Sequence, residues 1–162
     1  MTIDSLAPRR FPELDVPPRL LMGPGPSTVD PRVLRAQATP LLGHLDPQFV
    51  ELMDRTKEML KYAFQTENNL TIPVSGTGSA AMEAAVANMV EPGDPVLVCA
   101  NGYFGLRLAD MAGRYGGVVQ TITRPWGEVF TVDDVRAALE AHPAKVVAIV
   151  HAETSTGAKQ PV

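Results

Sequence analysis

The sequence holds one cysteine, Cys99, in 162 residues. A single thiol excludes an internal disulfide framework and a cysteine-based zinc site. Its setting, Val96-Leu97-Val98-Cys99-Ala100, is an apolar run, so it reads as a small core residue. The histidines His44, His142 and His151 stand at no metal-ligand spacing, and no metal is expected. Positive charge is also short. Fourteen Lys and Arg against eighteen Asp and Glu leave a net charge of −4, with no basic stripe. That argues against nucleic acid as a partner, although backbone N–H groups can still bind a phosphate. No apolar run approaches the ~20 residues of a membrane span. Residues 1–18 mix Arg9, Arg10, Glu13 and Asp15 with prolines and lack the apolar stretch of a secretory signal. The expectation is a cytoplasmic location with no membrane contact.

What is present is the composition of a globular chain, 45% hydrophobic and 20% charged. Pro8, Pro12, Pro17 and Pro18 deny regular structure to residues 1–20, which read as an N-terminal arm. Residues 21–69 form a loop and helix segment. It opens on the rigid turn Gly23-Pro24-Gly25-Pro26. Asp30-Pro31 and Asp46-Pro47 each place a capping acid before a first-turn proline, predicting helices to about Ala38 and about Gln65. The second helix carries an apolar stripe of Phe49, Leu52, Met53, Met59, Leu60 and Ala63.

From residue 70 to 162 strands and helices alternate. Strands are predicted at 70–74, 96–100, 118–123 and 146–150, and helices at 78–90, 103–115 and 131–141. This is an α/β pattern with a mainly parallel sheet and flanking helices. The strands are continuous apolar runs, so helices should cover both faces. Ligands in such sheets lie beyond the carboxyl ends of the strands, which points to loops 75–78, 101–104, 124–130 and 151–157. The outer face of the last strand has no covering helix, so the domain reads as truncated.

Three of these loops carry chemistry. Val74-Ser75-Gly76-Thr77-Gly78-Ser79 runs through a glycine-rich turn into a helix, whose first N–H groups are unpaired and partly positive. It reads as a phosphate cradle or as a plain capped turn. The pattern Gly76-x-Gly78-x-x-Ala81 also matches a dinucleotide fingerprint, but the next strand ends in Cys99-Ala100-Asn101 rather than the acid that fingerprint needs. Asn101-Gly102-Tyr103-Phe104-Gly105 places two aromatics at a helix start, either to stack on a planar ligand or to anchor the helix in the core. His151-Ala152-Glu153-Thr154-Ser155-Thr156-Gly157 gathers hydroxyls, a carboxylate and an imidazole. Its hydroxyls can bond a ligand while Glu153 orients its neighbours, or the groups can satisfy one another in a turn.

In order along the chain, Leu21-Met22-Gly23-Pro24-Gly25-Pro26-Ser27, Gly43-His44-Leu45-Asp46, Ser75-Gly76-Thr77-Gly78-Ser79, Glu91-Pro92-Gly93-Asp94, Asn101-Gly102-Tyr103-Phe104-Gly105 and the 151–157 segment resemble the class V aminotransferases dependent on pyridoxal 5'-phosphate (PLP). The similarity is to their alanine–glyoxylate and serine–glyoxylate branch. It implies the large, PLP-binding domain of fold type I, of which residues 70–162 are the N-terminal part, and a homodimer with residues 21–69 near its interface. It implies that Thr77, Gly78 and Ser79 hold the PLP phosphate, that Phe104 stacks on the pyridine, and that Thr154 bonds the phenolic oxygen. Phe104 stands where other members carry Trp. Gly25 sits where the family's backbone meets the substrate carboxylate, and His44 receives no catalytic role.

The reaction so implied moves an amino group from alanine or serine to glyoxylate, giving glycine and a keto acid. The family's cofactor-attaching lysine lies beyond Gly157, and Lys57, Lys61, Lys145 and Lys159 do not match its motif. No catalytic residue is therefore assigned, and these residues alone are expected to be inactive. The alternatives are a non-catalytic fragment or dimerisation module, and another class V enzyme such as a desulfurase or lyase. The mid-strand position of Cys99 argues against a desulfurase. A nicotinamide enzyme is the outsider.

Overall fold

The computed structural model describes residues 12–162, so most of the N-terminal arm, residues 1–11, lies outside the described residues. The chain divides into two compact units, meeting between Leu42 and Gly43. In the first, residues 12–30 have no helix or strand, and α1 spans Pro31–Gln37. The Asp30 carboxylate accepts from the N–H of Arg32 at 2.8 Å, closing the helix start as its Asp-Pro signature predicts. The Leu21 N–H donates to Thr28 Oγ1 at 3.2 Å, bracketing the Gly23–Pro26 turn. Every described residue of this unit is exposed.

In the second unit, α2 spans Pro47–Phe64, with Asp46 accepting from the N–H of Gln48. Its stripe is half-covered at Phe49, Met53 and Leu60, while Leu52 and Met59 are exposed. There follow α3 (Gly78–Met89), β1 (Pro95–Ala100), α4 (Tyr103–Arg114), β2 (Val118–Thr123), α5 (Val132–Ala141) and β3 (Val146–Ile149). Two short strands, β4 (Ala152–Glu153) and β5 (Ala158–Lys159), form an antiparallel hairpin.

The three longer strands make a parallel sheet in the order β2-β1-β3. The β1-to-β2 crossover runs one way, and the β2-to-β3 crossover returns over β1. Right-handed crossovers then put α4 and α5 on opposite faces. The main core lies on the α3–α4 face, where Val86, Val90, Met111 and Ala112 pack with Val96 and Val98. On β1, Val96, Leu97, Val98 and Cys99 are at most 2% exposed. Burial of side chains of this size stabilises by about 1.5–3 kcal/mol each. α5 starts with a capping box: Thr131 accepts from the N–H of Asp134, whose carboxylate accepts from that of Thr131.

Two expectations are corrected. Residues 70–74 are not a strand; Leu70, Ile72 and Val74 are exposed and lack a sheet partner among the described residues. Both edges of β1 are taken by β2 and β3. The run joins neither outer edge of the sheet, on β2 or on β3, so its N–H and C=O groups enter no ladder. The second correction is the segment after β3. It is not a simple loop, because residues 152–153 and 158–159 pair across the Thr154–Gly157 turn.

Candidate functional site

Gly78, Phe104 and Thr154 line one hollow of about 410 Å³ beyond the carboxyl ends of β1 and β3. Gly78 is the first residue of α3, Phe104 the second of α4, and Thr154 follows β4. Met82 and Ala85 from α3, Leu108 from α4, and Ile149, Val150 and Ala152 complete an apolar wall. A Cβ built on Gly78 would meet no atom within 4 Å, so the helix start faces open space.

Thr77 caps α3, its Oγ1 accepting from the N–H of Ala80 at 3.2 Å. The hydroxyl proton of Thr77 remains available to donate. The N–H groups of Gly78 and Ser79 have no acceptor among the described residues. Unpaired amides, a helix dipole and hydroxyl donors are the features with which a helix start can accept an anion. Phe104 is half-buried, edge-on to the exposed Tyr103, with ring centroids 5.5 Å apart. Phe104 lines the hollow.

The most buried acid of the site is Glu153, 1% exposed. One carboxylate oxygen accepts from the N–H groups of Phe104 at 3.1 Å and Gly105 at 3.2 Å. The other accepts from the Ser155 N–H at 3.2 Å and its hydroxyl at 2.5 Å. The Ser155 oxygen in turn accepts from the Tyr103 N–H at 2.9 Å. Glu153 therefore caps α4 from another loop. The sequence carried a signal for this: Gly102, at the N-cap, offers no side chain of its own. Gly102 must also lack one, because a Cβ there would sit 2.4 Å from Glu153 Cγ.

Two buried amides extend the same edge; sequence reasoning assigned a structural role to neither. Gln160 accepts from the Phe130 N–H at 2.8 Å and donates to the Phe130 carbonyl at 2.9 Å. Asn101 donates to the Glu128 carbonyl at 2.7 Å, and its own carbonyl oxygen is buried without a partner. Asn101 occupies the position where a nicotinamide site would need an acid. His151 is exposed and its Nδ1 lies 2.7 Å from the Gln160 carbonyl, so Nδ1 carries the proton.

The other singled-out residues are not in this wall. Gly25 belongs to the first unit. His44 is exposed in the turn before α2. Cys99 is fully buried, and burial, then the charge of Asp134, pushes its thiol up to about 11. That keeps it protonated and unreactive. No lysine lines the hollow. Lys145 is held at the opposite end of the strands by Asp94, 2.7 Å away. Among the described residues no cluster of His, Cys, Asp or Glu could hold a metal, and no helix is long and apolar enough to cross a membrane. A larger trough, about 870 Å³, lies between α5, β3 and residues 161–162; its wall is mostly apolar, with Thr131, Arg136 and Glu140 its polar residues, and includes none of Gly78, Phe104 and Thr154.

The chain can now be set beside known proteins. Residues 31–162 match the family described as aminotransferase class-V. The (S)-ureidoglycine–glyoxylate transaminase of Bacillus subtilis is 45% identical over 150 residues, 93% of this chain and 36% of that protein. The alanine–glyoxylate aminotransferase of Mus musculus is 43% identical over 149 residues, 92% of this chain and 36% of that protein. The crystal structure of an alanine–glyoxylate aminotransferase from Nostoc sp. superposes with a TM-score of 0.87 at 58% identity, covering 98% of this chain and 41% of that one. The chain thus spans little more than a third of the length of the curated relatives it matches. Its α/β architecture is that of fold type I aminotransferases, and the chain belongs to the class V aminotransferase family.

Proposed function

We propose that the hollow beyond β1 and β3 is the cofactor half of an aminotransferase site. The complete protein would transfer an amino group from alanine or serine to glyoxylate, yielding glycine and a keto acid. The observation that carries this reading is the convergence of Gly78, Phe104 and Thr154 on one small hollow.

The residues fit PLP. A phosphoester needs several donors, and the N–H groups of Gly78 and Ser79 with the hydroxyls of Thr77 and Ser79 supply them. A pyridine ring needs an apolar face, which Phe104 offers; offset aromatic contact contributes about 0.5–1.5 kcal/mol beyond burial. A phenolic oxygen needs a partner, and the Thr154 hydroxyl stands on that wall. The volume lies within the ~300–1,000 Å³ usual for small-ligand sites. When bound, PLP supplies the electron sink for loss of a substrate α-proton.

The chain's own residues do the rest. The α3 N-terminus would hold the phosphate, Phe104 would supply an apolar face to the ring, and Thr154 would offer its hydroxyl to the phenolic oxygen. Gly25 would let backbone approach the substrate carboxylate, which belongs to the same reading, as do a homodimer with residues 21–69 near its interface and a cytoplasmic setting. Because no lysine lines the hollow, these 162 residues by themselves would bind without turning over. Alanine is the first donor to test, since the Nostoc and mouse relatives are named for it. With PLP, L-alanine and glyoxylate, the complete natural protein is expected to form glycine and pyruvate. Retention of PLP without glycine from alanine or serine would contradict the transaminase reading.

A further inference from the structure

We infer that Glu153 is a positioning residue, coupling the aromatic wall of the hollow to its hydroxyl wall. The inference rests on the PLP reading above and adds a role to a residue that does not line the hollow.

Phe104 comes from the start of α4, after β1, and Thr154 from the turn of the β4–β5 hairpin, after β3. Neither bonds the other. Glu153 joins them: it precedes Thr154 in the chain, and its carboxylate holds the N–H groups of Phe104 and Gly105. Its second oxygen holds Ser155, whose hydroxyl oxygen holds Tyr103. The residues before and after Phe104, and those before and after Thr154, are thereby tied into one unit. A shift of either loop must break a charge-assisted bond at a helix N-terminus, where the dipole favours the anion.

The chemistry requires a carboxylate. All four groups facing Glu153 are donors, so an acceptor on both oxygens is needed. Glutamine has the same shape but one oxygen, and its amide must face either the two α4 N–H groups or the Ser155 N–H. There is no slack to re-seat it, because Gly102 is already packed against the Glu153 side chain. Glu153→Gln therefore cuts the coupling while leaving core volume unchanged.

The test compares the complete natural protein with its Glu153→Gln and Ser155→Ala variants, in two arms. Without cofactor, amide hydrogen exchange at residues 103–105 is expected to accelerate at least about tenfold in Glu153→Gln, with β1 unchanged. With PLP as probe, the visible circular dichroism of the bound chromophore, which reports ring orientation, is expected to fall in Glu153→Gln and less in Ser155→Ala. Unchanged exchange at 103–105, or acceleration spread equally over β1, overturns the coupling. Local acceleration with an unaltered dichroic signal overturns the positioning role. A wild-type protein that retains no PLP sinks the functional reading and with it that role, while the exchange arm still decides the coupling.

Discussion

The two ends of the parallel sheet differ in what they leave unfinished. At the amino ends of the strands the groups satisfy one another. The Asp94 carboxylate accepts from the Glu91 N–H at 2.8 Å and from Lys145 Nζ at 2.7 Å. The N–H of Gly93 donates to the Gly116 carbonyl, that of Val118 to Asp94, and that of Lys145 to Pro95. At the carboxyl ends the same sequence leaves two amides of α3 without an acceptor and an open space before Gly78. It also places a buried carboxylate between two loops. One end closes the fold; the other leaves the groups that the proposed PLP site would use.

The contrast can be broken at specific points. The largest effect is expected at Gly102. A methyl group there collides with Glu153 Cγ and Cδ, at 2.4 and 2.5 Å, so Gly102→Ala should destabilise the complete protein by about 2–3 kcal/mol in urea unfolding. Gly78→Ala should do the reverse in kind. Its methyl meets no protein atom, and alanine is the better helix former by up to about 1 kcal/mol. Stability is expected to hold or rise while PLP binding by equilibrium dialysis weakens about tenfold, or about 1.4 kcal/mol. Thr154→Val, which removes one exposed hydroxyl, should weaken PLP binding by about 1 kcal/mol with unfolding unchanged.

The smallest effect belongs to the closed end. The Lys145 ammonium beside Asp94, then the Glu91 N–H, hold the Asp94 carboxyl below its ordinary range. A lowered folded-state pKa means stability that is present above the unfolded value and lost as pH falls through the folded one. Asp94 should also raise Lys145 above the ordinary lysine range, a contribution present below that range and lost as pH rises through it. Lys145 is exposed and Asp94 half-buried, so the effect is modest. Asp94→Asn should flatten the stability profile as pH falls below the ordinary carboxylate range without altering PLP binding. A loss of PLP binding in this variant would erase the distinction between the two ends.

Much of this architecture could be read from the chain. Asp30-Pro31, Asp46-Pro47 and Thr131 each announced a helix, and the structure bears out all three starts. The apolar runs at 96–100, 118–123 and 146–150 became β1, β2 and β3 to within a residue. The run at 70–74 misled, because apolar composition reports a tendency to be buried and not which strand, if any, a run pairs with. The hairpin after β3 escaped notice because two-residue strands carry too short a pattern to distinguish from a turn. The gathering of Gly78, Phe104 and Thr154 rested on ordered motifs and family resemblance, since spacing along the chain does not encode distance across a sheet. The role of Glu153 was half-legible: its place beside the hydroxyls was clear, but its bond to a helix some 50 residues earlier was not.

In the proposed site, the α3 N-terminus and the Phe104 ring would grip the two ends of one PLP molecule. A crystal structure of the complete protein soaked with PLP tests it directly. The phosphate should lie within hydrogen-bond reach of the Gly78 and Ser79 N–H groups, with the pyridine against Phe104 and its phenolic oxygen near Thr154. Ordered PLP bound elsewhere, with that hollow filled only by water, would contradict it.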